Sequence, residues 1–422
     1  MSAYQCGPGM GSVSQIGWEW YSRTAARVPV TLLTHVRNRK ALEARGAPLA
    51  GSEIIYVDTE WFAGPLYRFA KKLFPNSEHA VFLLSSLDFY VYDSAALRLA
   101  KQRQKASTGA KADRIWDLVH CPTPVSPSAA TVLHRLGLPT VLGPVNGGLR
   151  SPEHFPEFMR QDSSWLYPLR NLGRLVDAWR GSTRRAARVL VATESTRAWY
   201  ARNRSVKCQF MLENAVDLSL FPVQPWPGAP DPARPLRVLF VGRLLPFKAV
   251  PLLLRAVRQS RDDGIAVEVT VVGDGPMREP WTREAGELGL ADAVQFVGQQ
   301  PLAAVSGYMA DAHVFCLPSV RESGGAVLLE AMASARPVIA VDYGGPAEIV
   351  DDEVGRKVPA TGNEAAIAGI RDALQDLSRD PDAWRRRGEA GRARVERQYS
   401  WDAKVDAAVE LYRKLVAAAE AG

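Results

Sequence analysis

Short runs of Val, Leu, Ile and Phe alternate with longer stretches whose apolar residues recur every three or four positions. The runs are apolar at nearly every position, as strands of a parallel sheet covered on both faces must be, and the longer stretches have the period of amphipathic helices. In the first half the predicted strands are Val28–Thr34, Glu53–Val57, Ile115–Val119, Thr140–Leu142 and Val189–Ala192, with helices over Gln15–Ala26 and Ser128–Leu136. In the second half they are Leu236–Val241, Val267–Val272, Val294–Val297, His313–Leu317 and Val338–Val341. The helices between these include Val250–Arg261, Met277–Leu288 and Gly325–Ser334. Six prolines in Pro222–Pro235 forbid a helix or a central strand there and predict a linker over 223–235. Domains are therefore expected over 1–222 and 236–400, with a C-terminal helix over 401–422 packing back on the first. Polar Lys101–Lys111 is expected to be a mobile surface loop.

The alternation gives an α/β fold with two doubly wound sheets, whose ligands bind beyond the carboxyl ends of the strands. At those ends stand His35, Asp58, His120, Asn146 and Glu194 in the first half. In the second half they are Gly242 with Arg243, Gly273 to Gly275, Pro318 to Glu322, and Gly344 with Gly345. Two such sheets joined by a linker predict a site in an interdomain cleft.

At 422 residues, 47% apolar and 23% charged, the chain has the composition of a globular two-domain protein. No apolar run is long enough to span a bilayer, no secretory leader is apparent, and the four cysteines are scattered without a CxxC pair. A reducing cytoplasm is the expected compartment, and no metal site is expected. The net charge of +7 is uneven: 28 Lys and Arg face 17 Asp and Glu through Pro222, against 24 and 28 beyond it. A basic first half is suited to a phosphate-bearing acceptor or an anionic membrane surface. Without a recognised nucleic-acid module the charge does not point to nucleic acid.

Chemistry concentrates in the second half. After the strand ending at Leu317, Gly324 and Gly325 open a helix at Ala326, where exposed N–H groups and the helix dipole favour an anion such as a diphosphate. Glu322 precedes that helix. Glu330 lies inside it among Val327, Leu328, Leu329 and Met332, a costly place for a carboxylate unless it finds hydrogen-bond donors. A ribose diol would supply them. Arg243 and Lys248, five residues apart beyond the strand Leu236–Val241, suit a leaving diphosphate. Gly273-Asp274-Gly275-Pro276 is a turn that lets backbone approach a flat ligand.

In this order the pieces resemble the nucleotide-binding domain of glycosyltransferase family 4, of GT-B fold. They are Phe240 to Leu244, Val272 to Pro276, Phe296-Val297-Gly298, Leu317-Pro318-Ser319, Glu322 with Glu330 as an E-x7-E pair, and Gly344 to Glu348. The resemblance implies that Arg243 and Lys248 neutralise the donor diphosphate and that Glu322 contacts the donor sugar. It also implies that backbone at Gly242, Gly273, Gly275, Gly324, Gly325 and Ala326 lines the donor site and that Glu330 binds the ribose. Ala249 and Ala335 stand where relatives often carry Gly, and Gly324 where Phe is common. The loop Cys6 to Ser12, with Gly9 and Gly11, resembles the N-terminal glycine loop that approaches the donor phosphates; a full strand before it is missing, so the chain is expected to begin at the end of its first strand. His120 is the candidate beside the anomeric carbon, with His35 in reserve; Pro122 replaces the second His of the relatives' His-x-His, and a structural histidine is the alternative. Asn146, Gly147 and Gly148 would shape the acceptor side, or form a tight turn. Trp61–Phe74 mixes aromatic and basic residues as an interfacial helix does; packing within its own domain is the alternative.

The expected function is that of a retaining, metal-independent glycosyltransferase, without a cofactor. It would move a hexose-type sugar from a nucleoside-diphosphate sugar to a glycan or lipid-linked acceptor in cell-surface polysaccharide or glycolipid synthesis. Its expected place is the cytoplasm, with peripheral contact at the inner membrane face. The alternatives are a sugar-nucleotide epimerase and a non-catalytic sugar-nucleotide-binding protein.

Overall fold

The computed structural model describes residues 1–75, 81, 84–107, 115–149, 152–159, 172–200, 206–231 and 233–421. The chain forms two compact units. The first comprises Met1–Gly148, Ser163–Glu213 and Lys404–Gly422; the second comprises Leu149–Asp162 and Asn214–Ala403.

In the first unit β1 (Val30–His35) pairs in parallel with β2 (Ser52–Val57). β3 (Val119–Cys121), β4 (Thr140–Val145), β5 (Arg188–Val191) and β6 (Cys208–Phe210) form a second parallel set in that order. Met1 to Ala3 lie between the two sets: Ala3 N donates to Leu33 O (2.9 Å) and Ser2 N to His120 O (2.8 Å). These residues occupy the place where a full strand would complete the sheet. Helix Trp401–Glu420 lays Leu411, Tyr412 and Leu415 against Val141 and Leu190 of this unit.

The second unit holds β7 (Leu236–Val241), β8 (Val267–Val272), β9 (Val294–Gly298), β10 (Val314–Leu317), β11 (Val338–Val341) and β12 (Gly355–Val358). All are parallel, in the order β12-β11-β10-β7-β8-β9. β10 and β11 are buried at every position, which their unbroken apolar sequences require. Helix Val250–Asp262 covers the sheet with Leu252, Leu253, Ala256 and Val257 and turns Arg258 and Asp262 to solvent.

Three expectations are corrected. Ser128–Leu136 is helical only in a short 3₁₀ turn at Leu133–Leu136, because the Asp93 carboxylate takes the Val132 N–H (2.8 Å) and the Thr131 hydroxyl (2.5 Å). Residues 101–107 continue helix Asp88–Ser107 rather than forming a loop; 108–111 lie outside the described residues. The proline-rich stretch belongs to the second unit and is docked on it. Buried Arg336 donates to the Gln224 (3.4 Å) and Pro225 (3.0 Å) carbonyls, and Trp226 Nε1 donates to His313 O (3.1 Å). The chain changes units at Gly148–Leu149, Glu213–Asn214 and Ala403–Lys404 among the described residues, not within the proline-rich stretch.

Candidate functional site

The carboxyl ends of β7, β8, β10 and β11 build the site. β7 ends at Val241, Gly242 and exposed Arg243 follow, and a 3₁₀ turn at Pro246–Lys248 carries Lys248. Ala249 then adopts a left-handed conformation (φ 49°) and caps the next helix. The loop after β8 is pressed against the loop after β7: Leu244 N donates to Asp274 O (2.8 Å) and Gly242 N to Val272 O (2.9 Å). A Cβ on Gly273 would sit 2.0 Å from the Gly242 carbonyl oxygen, and φ there is 135°. Only glycine permits that approach.

Beyond β10, Val320 N donates to Phe247 O (3.0 Å), tying the third loop to the Lys248 turn. Lys248 Nζ and the Glu322 carboxylate form an ion pair, and both side chains are largely buried. The loop after β11 holds Glu322 from behind. Gly345 N donates to Glu322 O (2.9 Å), and a Cβ on Gly344 would lie 2.2 Å from the same oxygen. Gly325, left-handed at φ 62°, starts helix Ala326–Ala333 with no side-chain cap; Leu328 N donates to Gly325 O (2.9 Å), and the Ala326 and Val327 N–H groups have no intrahelical acceptor. Glu330 sits on this helix between buried Leu329 and Ala331, and burial alone pushes its carboxyl up to about 7. Arg243, Lys248, Glu322, Glu330 and the glycines at 242, 273, 275, 324 and 325 thus belong to one set of adjoining loops in one unit.

The residues proposed from the first half are placed differently. His120 is 2% exposed. Its Nε2 is 2.5 Å from the Gly143 carbonyl, its Nδ1 is 2.7 Å from the Tyr412 hydroxyl, and the Trp20 ring packs edge-on at 4.9 Å. Burial pulls its basicity down to about 3. Both nitrogens serve the interior, which is the structural alternative, and a role at the anomeric carbon does not fit this geometry. His35 is equally buried, with Nε2 3.0 Å from Thr59 Oγ1 and Nδ1 accepting from Arg37 N (3.2 Å). Asn146 donates to the Glu213 carboxylate, and Thr196 Oγ1 accepts from Gly147 N (3.0 Å) and donates to its carbonyl (2.9 Å). A braced turn results. Gly9 and Gly11 (φ 74° and 105°) lie in an exposed loop of the first unit, ahead of helix Ser12–Ala25.

Residues 229–394 match the profile described as glycosyl transferases group 1. That segment is similar to this family. Over 187 residues the chain is 34% identical to a D-inositol 3-phosphate glycosyltransferase of Gordonia bronchialis, covering 42% of this chain and 40% of that protein. Over 221 residues it is 33% identical to an alpha-maltose-1-phosphate synthase of Mycolicibacterium smegmatis, covering 49% and 57%. The match thus spans about half the length of these relatives. The structure of Anabaena HepE in complex with UDP superimposes with a TM-score of 0.65 over 98% of this chain and 99% of that one, at 15% identity. Sucrose-phosphate synthase from Thermosynechococcus elongatus gives 0.60 over 97% and 94%, at 23% identity. The fold is GT-B. Among the described residues no helix is long and apolar enough to cross a membrane, and no group of His, Cys, Asp and Glu is arranged to hold a metal ion.

One element went unread in the sequence. Helix Pro156–Met159 belongs to the second unit, where it packs against the Lys248 turn. Its signal, Phe155-Pro156-Glu157-Phe158, is too short to have a period.

Proposed function

We propose that this protein is a retaining glycosyltransferase that takes its sugar from a nucleoside-diphosphate donor. The observation that carries the reading is the Lys248–Glu322 pair beside a glycine-started helix without a side-chain cap that also bears the partly buried carboxylate of Glu330. A diphosphate at the helix start would draw Lys248 and Arg243, the ribose hydroxyls would donate to Glu330, and the freed Glu322 would accept from the sugar. The C–O bond at the anomeric carbon breaks and its electron pair leaves with the diphosphate. The acceptor oxygen bonds to the same face of that carbon, and its proton passes to the departing phosphate oxygen. Lys248 and Arg243 would stabilise the developing charge without a divalent cation. HepE with bound UDP and the sugar-transferring relatives support this reading.

A glycan or lipid-linked acceptor is the matching half of the proposal, with the protein in the cytoplasm and touching an anionic membrane. Helix Glu60–Leu73 buries only Ala63 and Ala70. It exposes Trp61 (69%), Tyr67 (50%), Phe69 (58%) and Leu73 (54%) beside exposed Arg68, Lys71 and Lys72. Aromatic and basic residues mixed on one outward face are suited to a headgroup layer.

The test is incubation with UDP-glucose, GDP-mannose and ADP-glucose, with and without EDTA, scoring transfer or slow hydrolysis of the donor. Donor turnover that survives EDTA supports the proposal. Epimerisation of the sugar, or loss of turnover on chelation with recovery on adding Mn²⁺, contradicts it.

A further inference from the structure

We infer that the Lys248–Glu322 pair is a latch that closes the sugar subsite until a diphosphate opens it, an inference resting on the donor-site reading above. The two partners come from different loops of the second unit, and backbone bonds outside the pair hold both loops. Lys248 N donates to Leu245 O (2.9 Å), Val320 N to Phe247 O (3.0 Å) and Gly345 N to Glu322 O (2.9 Å). Opening the pair therefore asks only for a change of side-chain rotamer. The Lys248 stem is placed for that change. Its Cε lies 3.9 Å from where a Cβ on Gly242 would stand, so the stem runs beside the residue that precedes Arg243. Arg243 is exposed and, among the described residues, forms no ion pair.

An incoming diphosphate thus meets Arg243 and the Ala326 and Val327 N–H groups first, and then competes with Glu322 for Lys248. Its several charged oxygens hold the ammonium better than a single carboxylate does. While the latch is closed, the Lys248 and Glu322 side chains are only 14% and 16% exposed, and the carboxylate is directed at the ammonium. A free sugar has little to bind there. Once Lys248 turns to the diphosphate, Glu322 is left as a largely buried charge without its partner, and sugar hydroxyls relieve that cost. Diphosphate and sugar therefore assist each other, by the same factor in both directions. The latch makes the subsite selective: it refuses a free monosaccharide and accepts a sugar that arrives with a diphosphate.

The experiment titrates glucose with and without saturating UDP, and mannose with and without GDP, by saturation-transfer NMR. It is run on wild type, Lys248→Ala, Lys248→Gln and Glu322→Gln. In wild type the diphosphate should tighten sugar binding about tenfold or more, and the sugar should tighten diphosphate binding equally. In Lys248→Ala nothing holds Glu322, so sugar should bind without diphosphate as tightly as it binds the wild-type complex. Lys248→Gln, which offers a neutral donor, should show intermediate coupling. Glu322→Gln should bind the diphosphate more tightly than wild type and the sugar weakly in either state. Sugar binding that ignores the diphosphate in wild type, or is absent from both diphosphate complexes, overturns the latch while the donor site stands. Coupling undiminished in Lys248→Ala also overturns it; should that variant misfold, undiminished coupling in Lys248→Gln does the same. Failure of wild type to bind either diphosphate overturns the donor-site reading and the latch with it.

Discussion

Glu330→Gln should make the free protein more stable and the nucleotide complex weaker, two effects of opposite sign from one atom. In the folded chain burial raises the Glu330 carboxyl from 4.5 to about 7, so folding favours its protonated form. The associated stability is complete below pH 4.5, declines as pH rises through about 7, and is gone above it. At 1.36 kcal/mol per pH unit the loss is at most about 3 kcal/mol at pH 8. Gln cannot ionise and escapes it. For a unit of this size that difference raises Tm by about 6–12 °C at pH 8 and by almost nothing at pH 4.5. The ribose meanwhile loses a charged acceptor worth about 1.5–3 kcal/mol, so nucleoside diphosphate should bind about 10- to 100-fold more weakly. The assay is differential scanning fluorimetry from pH 4.5 to 8.5, with and without the diphosphate that shifts wild type most. In wild type the ligand shift should also grow with pH, since binding requires the carboxylate. A variant gap that stays constant with pH would refute the desolvation argument. An undiminished ligand shift would remove Glu330 from the ribose site.

Lys248→Ala and Arg243→Ala should each lower donor turnover about 100-fold, with Tm unchanged in Arg243→Ala and lowered in Lys248→Ala, which leaves the Glu322 carboxylate without its partner; wild-type rates in both would dismiss the diphosphate assignment. Ala249 and Ala335 hold left-handed φ of 49° and 55°. Replacing either by Gly removes about 1–2 kcal/mol of steric cost, less about 0.4–1 for the freer unfolded chain, so urea unfolding should show a small net stabilisation. Destabilisation of both variants would contradict the backbone argument. Converting Arg68, Lys71 and Lys72 to Glu should weaken co-sedimentation with anionic liposomes by about 1 kcal/mol or more per cation. Binding that ignores both lipid charge and salt would dismiss the membrane surface.

By itself the sequence determined the second unit's sheet and the loops of the candidate site. Leu236–Val241, Val267–Val272 and Val338–Val341 are strands at the predicted bounds, because short runs rich in Val and Leu between turn residues are too short for a helix and fit buried strands. Arg243, Lys248, Glu322 and Glu330 were legible for a related reason: they follow strand ends at short, fixed distances, so local chain geometry brings them together. Tertiary structure alone decided the rest. His120 at a strand end looks the same in sequence whether its nitrogens face a ligand or the interior; only Tyr412, 292 residues away, and the Gly143 carbonyl settle that they are taken. The prolines of 223–235 announce the absence of regular structure and say nothing of docking, which depends on a buried Arg336 more than a hundred residues on. Helix Pro156–Met159 was silent because its partners, the Lys248 turn, Arg255 and Asn363, are scattered along the chain, and contacts between distant residues leave no period in the sequence that makes them.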